Sequence, residues 1–182
     1  MAFVPRLNDT GIRGNHIWYS DNPYYPTYGM PNCTCYAWGR FWEISDPLGS
    51  QQTKPTLPTS DGGQWFGRVD TTEYTKSSLL IPALGAVICF SDDNGGAGHV
   101  AIVEQIINNG ETIVCSNSAW ESTFFYTTTL SKSDSYKYSH FTFQGFIYHP
   151  DYIPDFPSVK KHNFNWALFA DKIRKNRTII KR

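Results

Sequence analysis

Apolar residues along this chain first recur at helical spacing and later form the short runs typical of strands. In the helical part they are Tyr36, Ala37, Phe41 and Ile44. This spacing predicts a first helix over residues 32–45, preceded by an irregular lead-in over residues 1–31 that is rich in proline and tyrosine. A second helix is predicted from Asp61 to Val69, with Asp61 as its capping residue.

The period changes after Leu84, where apolar runs alternate with turn residues. The predicted strands are AVICF (86–90), HVAIVEQII (99–107), TIVCSNSAW (112–120), FFYTTTL (124–130), HFTFQ (140–144) and GFIYHP (145–150). Asn108, Asn109 and Gly110 predict a tight hairpin between the second and third of these strands. Helices followed by a run of strands predict an α+β fold, with an antiparallel sheet and helices packed on one side.

Residues 151–182 are predicted to be an appendage to a domain formed by residues 1–150. A proline-punctuated linker leads to FNWALFADKIRKNR (164–177), which predicts a short amphipathic helix. The appendage carries 8 Lys and Arg against 3 Asp and Glu, whereas residues 1–150 carry 8 against 13. A short basic end is typical of a solvated face or a docking element, so we do not expect nucleic-acid binding.

The composition is typical of a soluble globular protein, since 40% of the residues are hydrophobic and 18% are charged. The start of the chain has no apolar core of signal-peptide length, and no stretch approaches the roughly 20 apolar residues of a membrane span. We therefore expect neither a signal peptide nor a membrane span. The four cysteines are expected to be free thiols, because a chain of this size needs no disulfides.

Cys33 stands where the irregular lead-in meets the first predicted helix. The unpaired N–H groups and the positive end of the helix dipole favour a thiolate at such a position. This run leaves two interpretations open, a reactive nucleophile or a small buried hydrophobe. A zinc site formed by Cys33, Cys35 and His99 is disfavoured, because zinc sites usually contain a CxxC-like pair.

A cysteine nucleophile needs a base and a third group that orients the base. Of the five histidines, His99 combines a glycine-rich approach with entry into an apolar strand. The predicted hairpin brings Asn117 back towards His99, where its side-chain carbonyl can set the imidazole tautomer. The alternatives are a structural histidine at a strand start and a turn residue at a strand end.

Several of these segments, in this order and at these separations, resemble the CHAP family of cysteine, histidine-dependent amidohydrolases/peptidases. They are NCTCYAWGR (32–40), the glycine before AVICF, GHVAIVEQI (98–106), TIVCSNSAW and FQGFIYHP (143–150). The resemblance covers residues 20–150 and implies a papain-like fold, related to NlpC/P60, with N-terminal helices on a central antiparallel β-sheet. It also implies hydrolysis of bacterial peptidoglycan, by an N-acetylmuramoyl-L-alanine amidase or a D-alanyl or glycyl endopeptidase.

Carried over to this sequence, the resemblance makes Cys33 the nucleophile, His99 the base and Asn117 the residue that orients the base. Asn32 stands where glutamine is usual and is expected to donate to the oxyanion together with the Cys33 N–H group. Cys35, where tryptophan is common, is expected to be a packed bystander. No cofactor is expected, and no required metal, because the residues before Cys33 do not continue a calcium-ligand pattern.

Aromatic residues in polar, loop-like stretches of this chain are candidates for a groove that binds an extended ligand. The substrate-binding candidates are Trp120, Trp38, Tyr25 and Tyr28. In the alternative interpretation, these rings pack beneath long loops.

Many members of the family are bacteriophage lysins or tail-associated wall hydrolases. The resemblance therefore implies a phage-encoded protein, held in the host cytoplasm before release to the wall or carried in the virion tail. Residues 151–182 are then expected to contact other tail or lysin modules. An alternative from another class is a catalytically inactive wall-binding or virion structural module, which the short Asn32 favours. The related NlpC/P60 class is disfavoured, because Thr34 and Cys35 stand where Ser and Gly usually follow its cysteine.

Overall fold

The structure is a computed structural model that describes residues 2–156. The predicted terminal helix of residues 164–177 lies outside these residues. Residues 2–32 run as turns and irregular backbone, as the sequence predicts. At the other end, a 3₁₀ turn at Pro150–Tyr152 follows the last strand, and the ring of Tyr152 packs edge-on against Phe3. The described part of the proposed linker therefore contacts the domain.

Helix α1 spans Cys33–Ser45, which confirms the first predicted helix. Asn32 does not belong to its first turn, since the Asn32 backbone is extended and its Oδ1 accepts a hydrogen bond from Cys35 N at 2.8 Å. Asn32 is thus the N-cap, a position at which asparagine is strongly preferred. The helix is buried from Thr34 to Trp42, because it packs between the sheet and the lead-in.

The second predicted helix is mostly absent. Gly62–Gln64 form a 3₁₀ turn, and only Trp65–Arg68 form a helix, α2. The predicted capping role of Asp61 is wrong, because its side chain makes no capping hydrogen bond. The segment contains three glycines, each of which disfavours a helix by roughly 1 kcal/mol relative to alanine. Its shape is set instead by tertiary contacts, described below for the site.

Six strands form one antiparallel sheet in the order β1-β6-β2-β3-β4-β5. They are β1 Lys76–Ser77, β2 Val87–Asp92, β3 His99–Ile107, β4 Thr112–Asn117, β5 Tyr126–Ser131 and β6 Phe141–Ile147. Asn108–Gly110 make the hairpin turn between β3 and β4, as predicted. The two segments predicted at 140–144 and 145–150 form a single strand, β6. A bulge at Gln144 disturbs the alternation there without ending the strand.

The sheet is buried on both faces. Val87, Cys89, Val100, Ile102 and Ile147 pack in one cluster with α1 and the lead-in. Alternate residues of the same strands, among them Ile88, Ala101 and Phe146, pack in a second cluster with Ile113 of β4 and with Tyr136. No helix within residues 2–156 is both long enough and apolar enough to cross a membrane.

Candidate active site

The site forms where the start of α1 meets the start of β3 and the end of β4. Asn32 N donates to Ser118 Oγ at 3.1 Å, which ties the residue before Cys33 to the chain just after β4. Ser118 is fully buried, so this bond is shielded from water. The backbone therefore holds Cys33 beside the two strands that carry His99 and Asn117.

A turn at Gly98 places His99 at the first position of β3. Gly98 has a φ of +72°, and a Cβ on Gly98 would lie 2.4 Å from the Cα of Gly63. Only glycine fits this close approach, in which Gly63 N also donates to Ala97 O at 2.8 Å. The glycine-rich run before His99 thus brings the 3₁₀ turn at Gly62–Gln64 against the candidate base.

His99 Nε2 lies 3.0 Å from Asn117 Oδ1. The orientation of the Asn117 amide follows from its other contacts, because Nδ2 donates to Cys115 O and to Thr128 Oγ1, each at 3.0 Å. Oδ1 must therefore accept, and His99 carries its proton on Nε2. Nδ1 of the neutral ring is left with its lone pair, which is the form that a general base requires.

Aromatic rings pack around the His99 imidazole. Phe141 stacks on it with ring centroids 5.5 Å apart and planes at 28°, and Tyr138 lies 5.7 Å away. Tyr138 also donates to the Tyr126 hydroxyl at 3.2 Å. No local sequence pattern marks these three residues as part of the site. They belong to strands or loops remote from His99 in sequence, and only the sheet order brings them together.

Cys33 and His99 both line a cleft of about 520 Å³. Asn32, Thr34 and Trp120 line it as well, together with Asp61. The cleft is of the size that small-molecule and peptide sites commonly have, and its walls are largely apolar. A nucleophile candidate and a base candidate therefore open onto one substrate-sized space.

Burial raises the pKa of the Cys33 thiol to about 11, although the backbone N–H groups of Val100 and Thr34 favour its thiolate. Burial also lowers the pKa of His99 to about 4, against the raising effect of its hydrogen bond to Asn117. Desolvation therefore opposes the thiolate that the helix N-terminus favours, and it also opposes the imidazolium form of His99. Both directions favour a neutral thiol and a neutral imidazole.

Asn32, the predicted oxyanion donor, uses its carbonyl oxygen to hold α1. Oδ1 accepts from Cys35 N at 2.8 Å and from Thr34 Oγ1 at 2.7 Å. These bonds occupy Oδ1, so Nδ2 is the remaining polar group of the amide. Asn32 also lines the cleft. A side-chain donor beside the Cys33 N–H group is thus compatible with the fold.

The structure separates the four predicted substrate-binding residues into two pairs. Trp120 and Tyr28 line the cleft, and Trp120 is 60% exposed. Trp38 is only 2% exposed and packs edge-on against Trp42 in the core, so its predicted substrate-binding role is wrong. Tyr25 is outside the cleft lining and packs on Tyr19. Helical periodicity turns the Trp38 side chain into the core. The aromatic composition of a segment does not indicate which face of a helix a residue occupies.

Cys35 belongs to the hydrophobic core, where its thiol donates to Trp18 O at 3.4 Å. It therefore shares no metal-binding geometry with Cys33 and His99. Across the described residues, no three His, Cys, Asp or Glu side chains converge in a way that could hold a metal ion. All four cysteines are free thiols, as predicted.

A buried ion pair connects the three elements that carry these residues. Glu104 on β3 is fully buried and accepts from Arg40 Nε on α1 at 2.9 Å and from Ser116 Oγ on β4 at 2.7 Å. A bulge at Glu104 shifts the register of β3 against β4. Because of it, Glu104 points towards α1 while Ile106 packs in the cluster on the opposite face.

The family model for the CHAP domain matches residues 20–119, a range that contains Cys33, His99 and Asn117. Searches of curated proteins and of solved structures gave no match.

Proposed function

The chain belongs to the CHAP family, and from that premise we propose that Cys33, His99 and Asn117 hydrolyse an amide bond of bacterial peptidoglycan. CHAP domains are in general cysteine- and histidine-dependent amidohydrolases or peptidases that act on this substrate. The observation that carries the assignment of residues is the His99 Nε2 to Asn117 Oδ1 bond of 3.0 Å, which leaves Nδ1 as the unprotonated nitrogen of a ring that lines the same cleft as Cys33.

In the proposed first step, the Cys33 thiol gives its proton to His99 Nδ1 as the sulfur attacks the amide carbonyl carbon. Transfer accompanies attack because both groups rest in their neutral forms. The Cys33 N–H group and Asn32 Nδ2 donate to the developing oxyanion. Asn117 accepts from His99 Nε2 throughout and stabilises the imidazolium that forms.

In the second step, His99 returns its proton to the departing amine nitrogen, and the C–N bond breaks to leave a thioester on Cys33. His99 then takes a proton from water, which attacks the thioester carbonyl. The products are the carboxylate of one fragment and the free Cys33 thiol. The scissile bond is either the one between muramic acid and L-alanine or a D-alanyl or glycyl peptide bond.

The proposal extends to a bacteriophage endolysin or tail-associated lysin, located in the host cytoplasm before release or in the virion tail. It rests on the family resemblance of the sequence. Residues 151–182 would then contact other modules of the lysin or tail. The tyrosine and tryptophan rings of the cleft, Tyr28 and Trp120, would contact the glycan or the stem peptide.

The test is digestion of purified cell walls with the wild type and the Cys33→Ala variant, followed by mass spectrometry of the released fragments. We expect clearing by the wild type only. A new amino terminus on alanine or glycine identifies an endopeptidase, whereas an intact stem peptide freed from muramic acid identifies an amidase. Binding to walls with no released fragment would favour the alternative of an inactive wall-binding module. A thiol-alkylating reagent, but not a chelator, should inactivate the enzyme.

A further inference from the structure

The cleft is lined by two carboxylates, Asp61 and Asp92, with no lysine or arginine side chain among its described lining residues to balance their charge. Asp92 is already occupied, since it accepts from Asn94 N at 2.7 Å and lies 3.9 Å from His140 Nε2. Asp61 differs, because its exposed carboxylate makes no hydrogen bond or ion pair with any residue in the range 2–156.

Asp61 stands next to the candidate catalytic residues. It directly precedes Gly62, which packs so closely on β3 that a Cβ there would lie 3.1 Å from the carbonyl carbon of His99. Burial is the main cause of the raised pKa of Cys33, and the negative charge of Asp61 adds to it. Both observations place the Asp61 carboxylate near the reacting groups.

The segment that carries Asp61 is braced from both sides. On one side, the Tyr24 hydroxyl accepts from Ser60 N at 3.0 Å and from Trp65 Nε1 at 2.9 Å. On the other, Gln144 Nε2 donates to Gly63 O at 3.0 Å. An unpaired carboxylate on a fixed backbone is favourably placed to bind a cation, because little backbone entropy remains to be lost on binding.

Aromatic side chains that line the same cleft fit the same kind of group. Trp120, 60% exposed, and Tyr126 line the cleft together with Asp61. The faces of such rings attract ammonium groups, and tryptophan does so most strongly. Carboxylate and aromatic rings together favour a cationic ligand over a neutral or anionic one.

We propose that Asp61 binds an ammonium group of the substrate, so that the preferred peptidoglycan peptide carries a free amine close to the scissile amide. This inference rests on the proposed function. The ammonium can be the α-amine at the end of a peptide branch or the side-chain amine of a diamino acid in the stem. The two sources share one chemistry and differ only in their position relative to the cleaved bond.

The experiment compares soluble peptidoglycan peptides that have free amines with the same peptides after N-acetylation. Peptides acetylated only at the α-amine or only at the side-chain amine separate the two sources. Asp61→Asn should lower kcat/KM for the free-amine peptide by about 10- to 100-fold, mainly through KM, as expected for loss of one charge-assisted hydrogen bond. It should change kcat/KM for the fully acetylated peptide far less, because there only the weak effect of the Asp61 charge on Cys33 is removed. Asp134→Asn, an exposed carboxylate outside the cleft, is the matched control.

Equal losses on both peptides would overturn the proposal, since Asp61 would then act on Cys33 or on the fold. No loss on either peptide would overturn it as well. A second readout uses the Cys33→Ala variant and measures peptide binding with and without Asp61→Asn. A preference for the free amine that disappears with Asp61→Asn supports amine recognition even if the wild type hydrolyses nothing, so the two proposals fail separately.

Discussion

Asn117 accepts a hydrogen bond from His99 Nε2 at 3.0 Å, and its own amide is held in place by Cys115 O and Thr128 Oγ1. The orientation of the His99 imidazole is therefore set by the strands that hold Asn117 in place. This relationship connects the geometry of the sheet with the protonation state of the base.

Replacing Asn117 by alanine should lower kcat by about 10- to 100-fold, because the imidazole loses the group that fixes its tautomer and stabilises its protonated form. KM should change little, since Asn117 is buried behind His99. Thr128→Val removes only one of the contacts that orient Asn117, so its loss of kcat should be smaller. Equal activity of Asn117→Ala and the wild type would exclude this residue from the mechanism. Steady-state kinetics on a soluble peptide provide the measurement.

Cys33 should react slowly with iodoacetamide at neutral pH. Burial raises its pKa to about 11, so the thiolate fraction and the alkylation rate should increase as the pH rises towards that value. Cys35 is fully buried and should stay unmodified in the folded protein. Mass spectrometry of peptides after timed alkylation identifies the labelled site. Fast alkylation of Cys33 that is independent of pH above neutrality would instead indicate a resting ion pair with His99.

The acid limit of activity should lie well below the ordinary pKa of histidine. Burial lowers the pKa of His99 from 6.5 to about 4, and the ring is a base only when neutral, so kcat/KM should fall near pH 4. A fall centred near pH 6.5 would contradict this prediction.

The lowered pKa of His99 also predicts that the folded protein loses stability at low pH. Between pH 6.5 and 4 the unfolded chain binds a proton at His99 that the folded protein does not, so the free energy of unfolding should decrease as the pH falls. The His99→Gln variant should lack this part of the pH dependence. Urea unfolding of both proteins over this pH range measures it.

Replacing Glu104 by glutamine should destabilise the fold by about 3 kcal/mol, because the buried Arg40 guanidinium loses the fully buried one of its two carboxylate partners and keeps only Glu43. Replacing Arg40 and Glu104 together by Met and Leu should cost less, since no charge is then left buried. Glu111→Gln is the matched control, because its carboxylate is 63% exposed and lies 3.8 Å from Lys132 Nζ. Its stability should be nearly unchanged. Denaturant midpoints give the comparison, and a small effect of Glu104→Gln would show that water reaches the Arg40 side chain.

The elements that carry the site follow from local patterns in the sequence. The apolar spacing after Asn32 is enough to place a helix behind Cys33, and the turn Asn108–Gly110 is enough to fold β4 back along β3. Both signals are short in range, because one depends on helical periodicity and the other on residues that adopt positive φ. Local patterns predicted a helix capped by Asp61, and this prediction is wrong. The glycine-rich segment around Asp61 is shaped by contacts with β3 and Tyr24.

The sequence by itself determined the candidate nucleophile, base and orienting residue, because each stands at an end of a helix or strand with a strong local signal. Only the tertiary structure decided that Trp38 is in the core, that Tyr138 and Phe141 pack on His99, and that burial raises the pKa of Cys33. Burial and the packing of distant segments set these properties. They depend on how far each group is removed from water, and no local pattern of residues records that.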